Sequence, residues 1–353
     1  MRIPTQTGRV DAGSHSVENM VNVNHLHPVA QVFSVPSSVS VVEGASTLEH
    51  LNRIVSVDTM NMPVLGRHDG LICNANGRIL DNATICNLGG QAIILGNHAT
   101  GEITRENLAS GIPWDADLVV KNADQAIAQL VLIGNAPLRC LVGLGIDPVE
   151  IVNDKWVEFG NCLFSVNWRC PEAIQILVPT SHRESLVTAL VENGAQQSDS
   201  EQWQIVRISS GILDHRELNP QNLPFELGLE ELIALDKGCY PGQEIHARME
   251  SRGALARCLV RLRSSDSIPE GKSKVDNVGS VTVTQACQFE GGGIALALIP
   301  NAASEIDSDN IRQWRDCQSP VNLILKGLIL VSHPFQATPI MASVERVLVS
   351  LGS

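Results

Sequence analysis

Aromatic side chains are scarce in this sequence of 353 residues: phenylalanine, tryptophan and tyrosine together make up 3%, and Tyr240 is the sole tyrosine. So few rings leave little for successive bases to stack on, which argues against a general single-strand binder. Positive charge is scarce too. The 25 lysines and arginines face 38 aspartates and glutamates, a net charge of −13, so a broad electrostatic grip on a nucleic-acid backbone is not expected. Long apolar runs are missing: Leu323 to Val331 is the best candidate and is broken by Lys326 and Gly327, short of the roughly 18–20 residues that a membrane-spanning helix needs. The N-terminal stretch has no apolar signal core and carries Asp11 and Glu18, unlike an acid-poor targeting peptide. A cytoplasmic protein with no membrane contact, no direct nucleic-acid binding and a monomeric state is the resulting expectation.

Closely paired cysteines are also lacking. The nine are Cys73, Cys86, Cys140, Cys162, Cys170, Cys239, Cys258, Cys287 and Cys317, none with the two-residue spacer of a zinc knuckle. Reduced, mostly buried thiols are expected rather than a disulfide framework or a metal site.

What is present is a globular composition, 44% hydrophobic and 18% charged. The chain is long enough for two or three domains, since single cores usually stop growing at about 250–300 residues. Met1 to about His27 reads as a loose polar leader. A helix is expected after Ser46, with a Ser46/Glu49 capping box and Leu48, Leu51 and Val55 on one face. From Gly70 to Gly96, short apolar stretches separated by Asn76-Gly77 and Gly89-Gly90 predict antiparallel hairpins. Asn122 is expected to cap a helix carrying Ala123, Ala126, Ile127, Leu130 and Val131. A strand over Ala173 to Val178 leads to a helix from Ser181 to about Asn193, opened by a Ser181/Glu184 box and closed by Gly194. After Gly253 the apolar stretches Arg257 to Leu262, Val281 to Thr284 and Ile294 to Ile299 predict an all-β C-terminal part, with Asn301 to about Pro320 as a surface loop. The fold class is α+β rather than a doubly wound parallel sheet.

One segment concentrates unusual residues: Lys237-Gly238-Cys239-Tyr240-Pro241-Gly242-Gln243-Glu244. Pro241 suits the first position of a helix, which would make Tyr240 its cap and set Cys239 just outside, facing the positive end of the helix dipole with Lys237 nearby. Both influences favour a thiolate, so Cys239 is the candidate reactive or ligating sulfur. Gly238 and Gly242 suit a tight turn or a close approach to a ligand. Gly143-Leu144-Gly145 lacks the third glycine of a dinucleotide loop, and Gly291-Gly292-Gly293 lacks the Lys-Ser or Lys-Thr of a phosphate loop. His246 is expected on the surface of the helix, and His25 and His27 lie in the leader.

The octapeptide resembles the signature of the YgfZ family of folate-binding proteins, relatives of the glycine-cleavage T-protein (GcvT, an aminomethyltransferase). The likeness continues through Ile245, Ala247-Arg248-Met249 and Arg252-Gly253, and upstream through Arg207-Ile208, Gly211 and Leu223-Pro224-Phe225-Glu226. A weaker likeness takes in Leu48, Leu51, Val57-Asp58 and Gly77-Arg78-Ile79 with Asp81. The resemblance implies a three-part ring: two intertwined α+β subdomains over residues 28–250, after a leader over 1–27, and a C-terminal β-barrel over 251–353. It implies a tetrahydrofolate site, with Glu226 on the pterin because a carboxylate accepts two parallel hydrogen bonds from such a ring. Lys237, Gly238, Tyr240, Gly242, Gln243 and Arg248 are the accompanying cofactor-binding residues. Arg248 lies four residues from Arg252, and this pair either meets the folate tail or an anionic partner or forms a solvated basic face. Asp81 occupies the first position of the T-protein's Asp-Asp pair, with Asn82 in the second, and is the candidate acid. By resemblance the function is folate-dependent support of iron-sulfur cluster assembly or repair, and indirectly of tRNA modification, using Cys239 and in contact with iron-sulfur proteins or cluster carriers. The alternatives are a folate-dependent aminomethyl or methyl transferase and a non-enzymatic folate-binding scaffold.

Overall fold

The structure is a computed structural model that describes residues 29–167, 169–252, 255–264, 266–275, 278–289 and 292–300, and the backbone of 321–325, 328–332 and 344–346. The expected leader, the Asn301 to Pro320 loop and Cys317 lie outside the described residues.

The first sheet has the strand order β11-β1-β7-β10-β9-β8. Its strands are β1 (Ala30–Val35), β7 (Ile127–Gly134), β8 (Val157–Phe159), β9 (Cys162–Asn167), β10 (Cys170–Pro179) and β11 (Gln196–Gln197). The second has the order β3-β4-β5-β2-β6, from β2 (Ser37–Glu43), β3 (Arg67–Cys73), β4 (Ile79–Asn87), β5 (Gln91–Asn97) and β6 (Val119–Asn122). Only Pro36 separates β1 from β2, so the chain enters the first sheet, passes directly into the second, completes it and returns to the first at β7. The two sheets are therefore interleaved in sequence. The third contains β12 (Arg257–Ser264), β13 (Gly271–Val275), β14 (Gly279–Phe289), β15 (Gly292–Pro300) and β18 (Val344–Arg346) in the order β13-β14-β15-β12-β18. A separate ribbon pairs β16 (Val321–Leu325) with β17 (Leu328–Ser332).

Each sheet buries a face. Leu130, Leu132, Ile174, Ile176 and Val178 of the first pack against Leu141 and Leu190 of the covering helices Pro137–Gly143 and Arg183–Glu192. Ile72, Ala83, Ile85 and Ile94 of the second pack against Leu51 and Leu108 of the helices Thr47–Asn52 and Gly101–Ala109. A further cluster joins Leu71, Cys73 and Ile79 of the second sheet to Leu259, Leu296 and Leu298 of the third. Full burial of each such valine, leucine or isoleucine contributes about 1.5–3 kcal/mol. No helix among the described residues is long and apolar enough to cross a membrane.

The mixed α+β class and the β3-β4-β5 hairpins are as the turn signals indicate. The helix expected after Asn122 is instead a turn and then strand β7, which pairs on both sides, with β1 and β10. Leu130, Val131, Leu132 and Ile133 are all buried, so the continuous apolar run of a strand covered on both faces satisfies helical spacing as well. Helices do form at Thr47–Asn52 and Arg183–Glu192, but neither Ser46 nor Ser181 makes the expected capping-box bond: Ser46 has no side-chain cap, and the second helix follows a 3-10 turn over Thr180–His182.

Candidate functional site

The motif segment is held against two distant parts of the chain. Lys237 Nζ donates to the carbonyls of Asn52, Val55 and Val57 at 2.6, 2.7 and 2.8 Å, at and just beyond the C-terminal end of the Thr47–Asn52 helix, where a cation suits the dipole. Burial draws its pKa down to about 8, and the ammonium lies 5.0 Å from the Tyr240 ring centroid. Gln243 Nε2 donates back to the Lys237 carbonyl at 3.2 Å. The helix starts at Gln243, two residues later than Pro241 suggests. Pro241-Gly242 instead forms the centre of a turn in which Gln243 N donates to the Tyr240 carbonyl, with Gly242 at φ +87°. A Cβ on Gly242 would stand 2.6 Å from Gly77 Cα and 2.7 Å from the Asn74 carbonyl, so glycine is required there by backbone conformation and by contact.

His246 is buried at the centre of this joint rather than on the surface. Its Nε2 lies 2.9 Å from the Gly77 carbonyl and its Nδ1 lies 3.2 Å from Tyr240 Oη. A carbonyl only accepts, so Nε2 carries the proton and Nδ1 accepts from the phenol. Burial lowers the pKa of His246, more than its bond to Gly77 raises it, and burial raises that of Tyr240.

Cys239 sits between these anchors and is exposed, the one exposed thiol among the eight described cysteines. Burial pushes Cys73, Cys86 and Cys170 up to about 12, which disfavours their thiolates. The local electrostatics expected for Cys239 differ: the helix begins four residues later, and the Lys237 ammonium is bound to carbonyls. What distinguishes this sulfur is its exposure on a braced loop. Gly238 meets only Asn52 Nδ2, 3.6 Å from a built Cβ, so no close approach requires glycine there.

The other nominated residues lie elsewhere. Glu226, in the 3-10 turn Pro224–Leu227, accepts from Arg257 Nε at 3.0 Å and Nη2 at 2.8 Å, and from Leu223 N at 3.0 Å. Its carboxylate is thus engaged by an arginine of the third sheet and is not part of the cavity wall described below. Asp81 is fully buried. Its Oδ1 accepts from Asn82 N, Asn97 N and Asn97 Nδ2 at 2.9, 3.1 and 2.8 Å, and its Oδ2 from Thr104 Oγ1 at 2.5 Å. Burial raises its pKa more than these bonds lower it. Arg248 is exposed and pairs with Glu244 on its own helix. The motif residues Lys237, Tyr240, Gly242 and Gln243 are brought together with Cys239. Glu226, Asp81 and Arg248 are not.

Between the first and second sheets lies a cavity of about 310 Å³, within the range typical of small-molecule sites. Val35 and Pro36 of the crossover line it, with Gln129 and Gln175 on one wall and Asn82 and Asn97 on another. Gln175 is directly opposite Val131, and Gln129 opposite Leu177, so the two amides are diagonal neighbours on one face of β7 and β10. Gln175 is 4% exposed and its Oε1 has no hydrogen-bond partner among the described residues. A buried orphan acceptor is costly unless something supplies a donor, and here it lines a cavity. Sequence reading does not single out Gln175; the available signal is a polar residue between Ile174 and Ile176 in the otherwise apolar run Ala173 to Val178. Among the described residues, no group of three or more His, Cys, Asp or Glu side chains could hold a metal ion.

No family model matches the chain. It is 23% identical over 290 residues to the tRNA-modifying protein YgfZ of Klebsiella pneumoniae (strain 342), covering 79% of this chain and 86% of that one. The YgfZ protein of Edwardsiella ictaluri (strain 93-146) is 32% identical over 164 residues, 44% of this chain and 49% of that relative, so the stronger likeness spans about half its length. Sarcosine oxidase subunit alpha of Rhizobium meliloti (strain 1021) is 23% identical over 296 residues, covering 74% of this chain and 29% of that protein. The crystal structure of glycine cleavage system aminomethyltransferase T from Bartonella henselae superposes with a TM-score of 0.69 at 19% identity, over 88% of this chain and 87% of that one, a likeness of fold. By sequence the chain is similar to the YgfZ tRNA-modifying proteins and, over a shorter share of the partner, to sarcosine oxidase subunit alpha, and it shares the fold of the glycine-cleavage aminomethyltransferase.

Proposed function

We propose that this chain binds tetrahydrofolate or a one-carbon derivative in the cavity between its first two sheets, and that it supports iron-sulfur cluster assembly or repair, and through it tRNA modification, with Cys239 as the working thiol. The observation that carries the thiol's role is its exposure, on a loop fixed by Lys237, Gly242 and His246, while the other described cysteines are buried or half-buried. Support for the folate comes from the aminomethyltransferase fold and from the cavity itself. A pteridine presents ring N–H and amino donors, and these complement the orphan Oε1 of Gln175. Gln129 and Gln175, with Asn82 and Asn97 opposite, are the residues that would hold the ring. A reduced folate supplies a one-carbon unit carried on its nitrogens.

In this reading Lys237, Tyr240, Gly242 and Gln243 position the Cys239 loop, and Glu226 braces the third sheet through Arg257. The larger arrangement is the three-part ring, a folate-binding body over 28–250 and a C-terminal barrel over 251–353, working as a cytoplasmic monomer with iron-sulfur proteins or cluster carriers as partners. The aminomethyltransferase alternative relies on Asp81 as acid. It is disfavoured by the complete burial of that carboxylate behind Asn82 and Asn97, which line the cavity while Asp81 does not. A scaffold role without turnover remains compatible with the same cavity and thiol.

The test is complementation. In cells lacking the protein, Cys239→Ser should accumulate to normal levels yet fail to restore iron-sulfur enzyme activity, whereas full restoration removes the thiol from the function.

A further inference from the structure

The charged groups around the cavity do not all cancel. Asp69 is gripped by Arg67 through two bonds of 2.8 and 3.0 Å, and Asp214 faces Arg207 Nη2 at 2.9 Å. Arg169 gives Nε to the Gly211 carbonyl at 2.7 Å and Nη2 to the Leu227 carbonyl at 3.2 Å. The lining residues left over are His98, which follows β5, and His215 and Arg216, which follow the helix Ser200–Ser210. The two imidazoles meet edge to face with centroids 5.3 Å apart. His215 Nδ1 is shielded from solvent and makes no hydrogen bond among the described residues, lying 3.9 Å from Asp214 Oδ1. That Asp214 oxygen already accepts from the Arg216 backbone N–H. Among the described residues the Arg216 side chain pairs with Glu270, at 3.8 Å between exposed groups, and Glu270 Oε1 also accepts from Ala286 N. A chain of net charge −13 repels an anion as a whole, so an anionic ligand needs a local cluster of donors to enter.

We propose that His98, His215 and Arg216 form an anion-binding subsite at the cavity, and that it takes the carboxylates of the glutamyl tail of a folate whose ring lies between the sheets. The proposal rests on the folate reading above and adds to it the place where the tail is held. His98 from one segment and the adjacent His215 and Arg216 from another line the same cavity, and a carboxylate is the acceptor that such donors match.

Calorimetry with two probes tests it: 5-formyltetrahydrofolate, and 5-formyltetrahydropteroate, which keeps the ring and lacks the glutamate. The full-length protein should bind the tailed probe about tenfold or more tightly than the tailless one, the range expected for charge-assisted hydrogen bonds. Arg216→Gln, a change at an exposed side chain, and His98→Gln should each shrink that preference while leaving affinity for the tailless probe unchanged. Equal affinity of the wild-type protein for both probes overturns the subsite and leaves the folate reading standing. So does an equal loss on both probes in the two variants, with melting temperature recorded to establish that they fold. Absence of binding by either probe overturns the folate reading itself.

Discussion

Gly242 and Gly77 lie in direct backbone contact, so close that a Cβ on Gly242 would stand 2.6 Å from Gly77 Cα. The contact fastens the segment bearing Cys239 to the β3–β4 hairpin of the second sheet. Gly77 is equally confined, with φ +69° and a built Cβ 3.0 Å from His246 Nε2. Gly242→Ala should therefore cost about 2–5 kcal/mol, from left-handed strain together with overpacking against backbone that cannot move aside. The denaturant midpoint is the readout. A loss below about 0.5 kcal/mol, the usual scale of a surface substitution, would mean that this joint is loose.

Asp81 accepts four hydrogen bonds with no exposed surface. Asp81→Ala removes the acceptor of these buried donors, so it should destabilise the protein by about 2 kcal/mol or more. Affinity of the folded protein for a reduced folate should stay within about twofold, because Asn82 and Asn97 stand between Asp81 and the cavity. A large affinity loss with unchanged stability would return Asp81 to the site.

The pH dependence of stability should carry the mark of His246. In the unfolded chain its ring titrates near the ordinary value of about 6.5. In the folded chain burial holds the pKa lower, so in the window between the two values the unfolded state holds the extra proton. Stability is therefore retained above pH 6.5 and falls as the solution is acidified through that value. A His246→Gln variant should lower stability at neutral pH and flatten this acid limb in urea titrations run from pH 7.5 downward. An unchanged slope would show that the imidazole is not the group responsible.

Much of this architecture was legible because hairpin turns announce themselves locally: Asn76-Gly77 and Gly89-Gly90 lead directly to the antiparallel β3, β4 and β5. Strand β7 reads as a helix in the sequence because burial on both faces removes the alternation that distinguishes a strand from a helix. Pro241 fits a helix start and the second position of a turn equally well. The choice was made by Gly242 packing on a hairpin far away in sequence, which no local pattern encodes. The burial of His246 is hidden for the same reason, since the face of its helix is covered by that hairpin. Cys239 and its neighbours were found from their chemistry. The cavity wall was not, because Gln129, Gln175, Asn82 and Asn97 come together only when two interleaved sheets face each other.

The most direct test of the folate account is a calorimetric titration of the full-length protein with 5-formyltetrahydrofolate, repeated on Gln175→Leu and Glu226→Gln. The account predicts one site per chain, weakened about tenfold or more by Gln175→Leu, which also removes an unpaired buried acceptor and so should leave the unliganded protein as stable or more so. Glu226→Gln should change affinity by no more than about twofold once folding is verified. No binding by the wild-type chain, or a loss confined to the Glu226 variant, would contradict a pteridine site between the sheets.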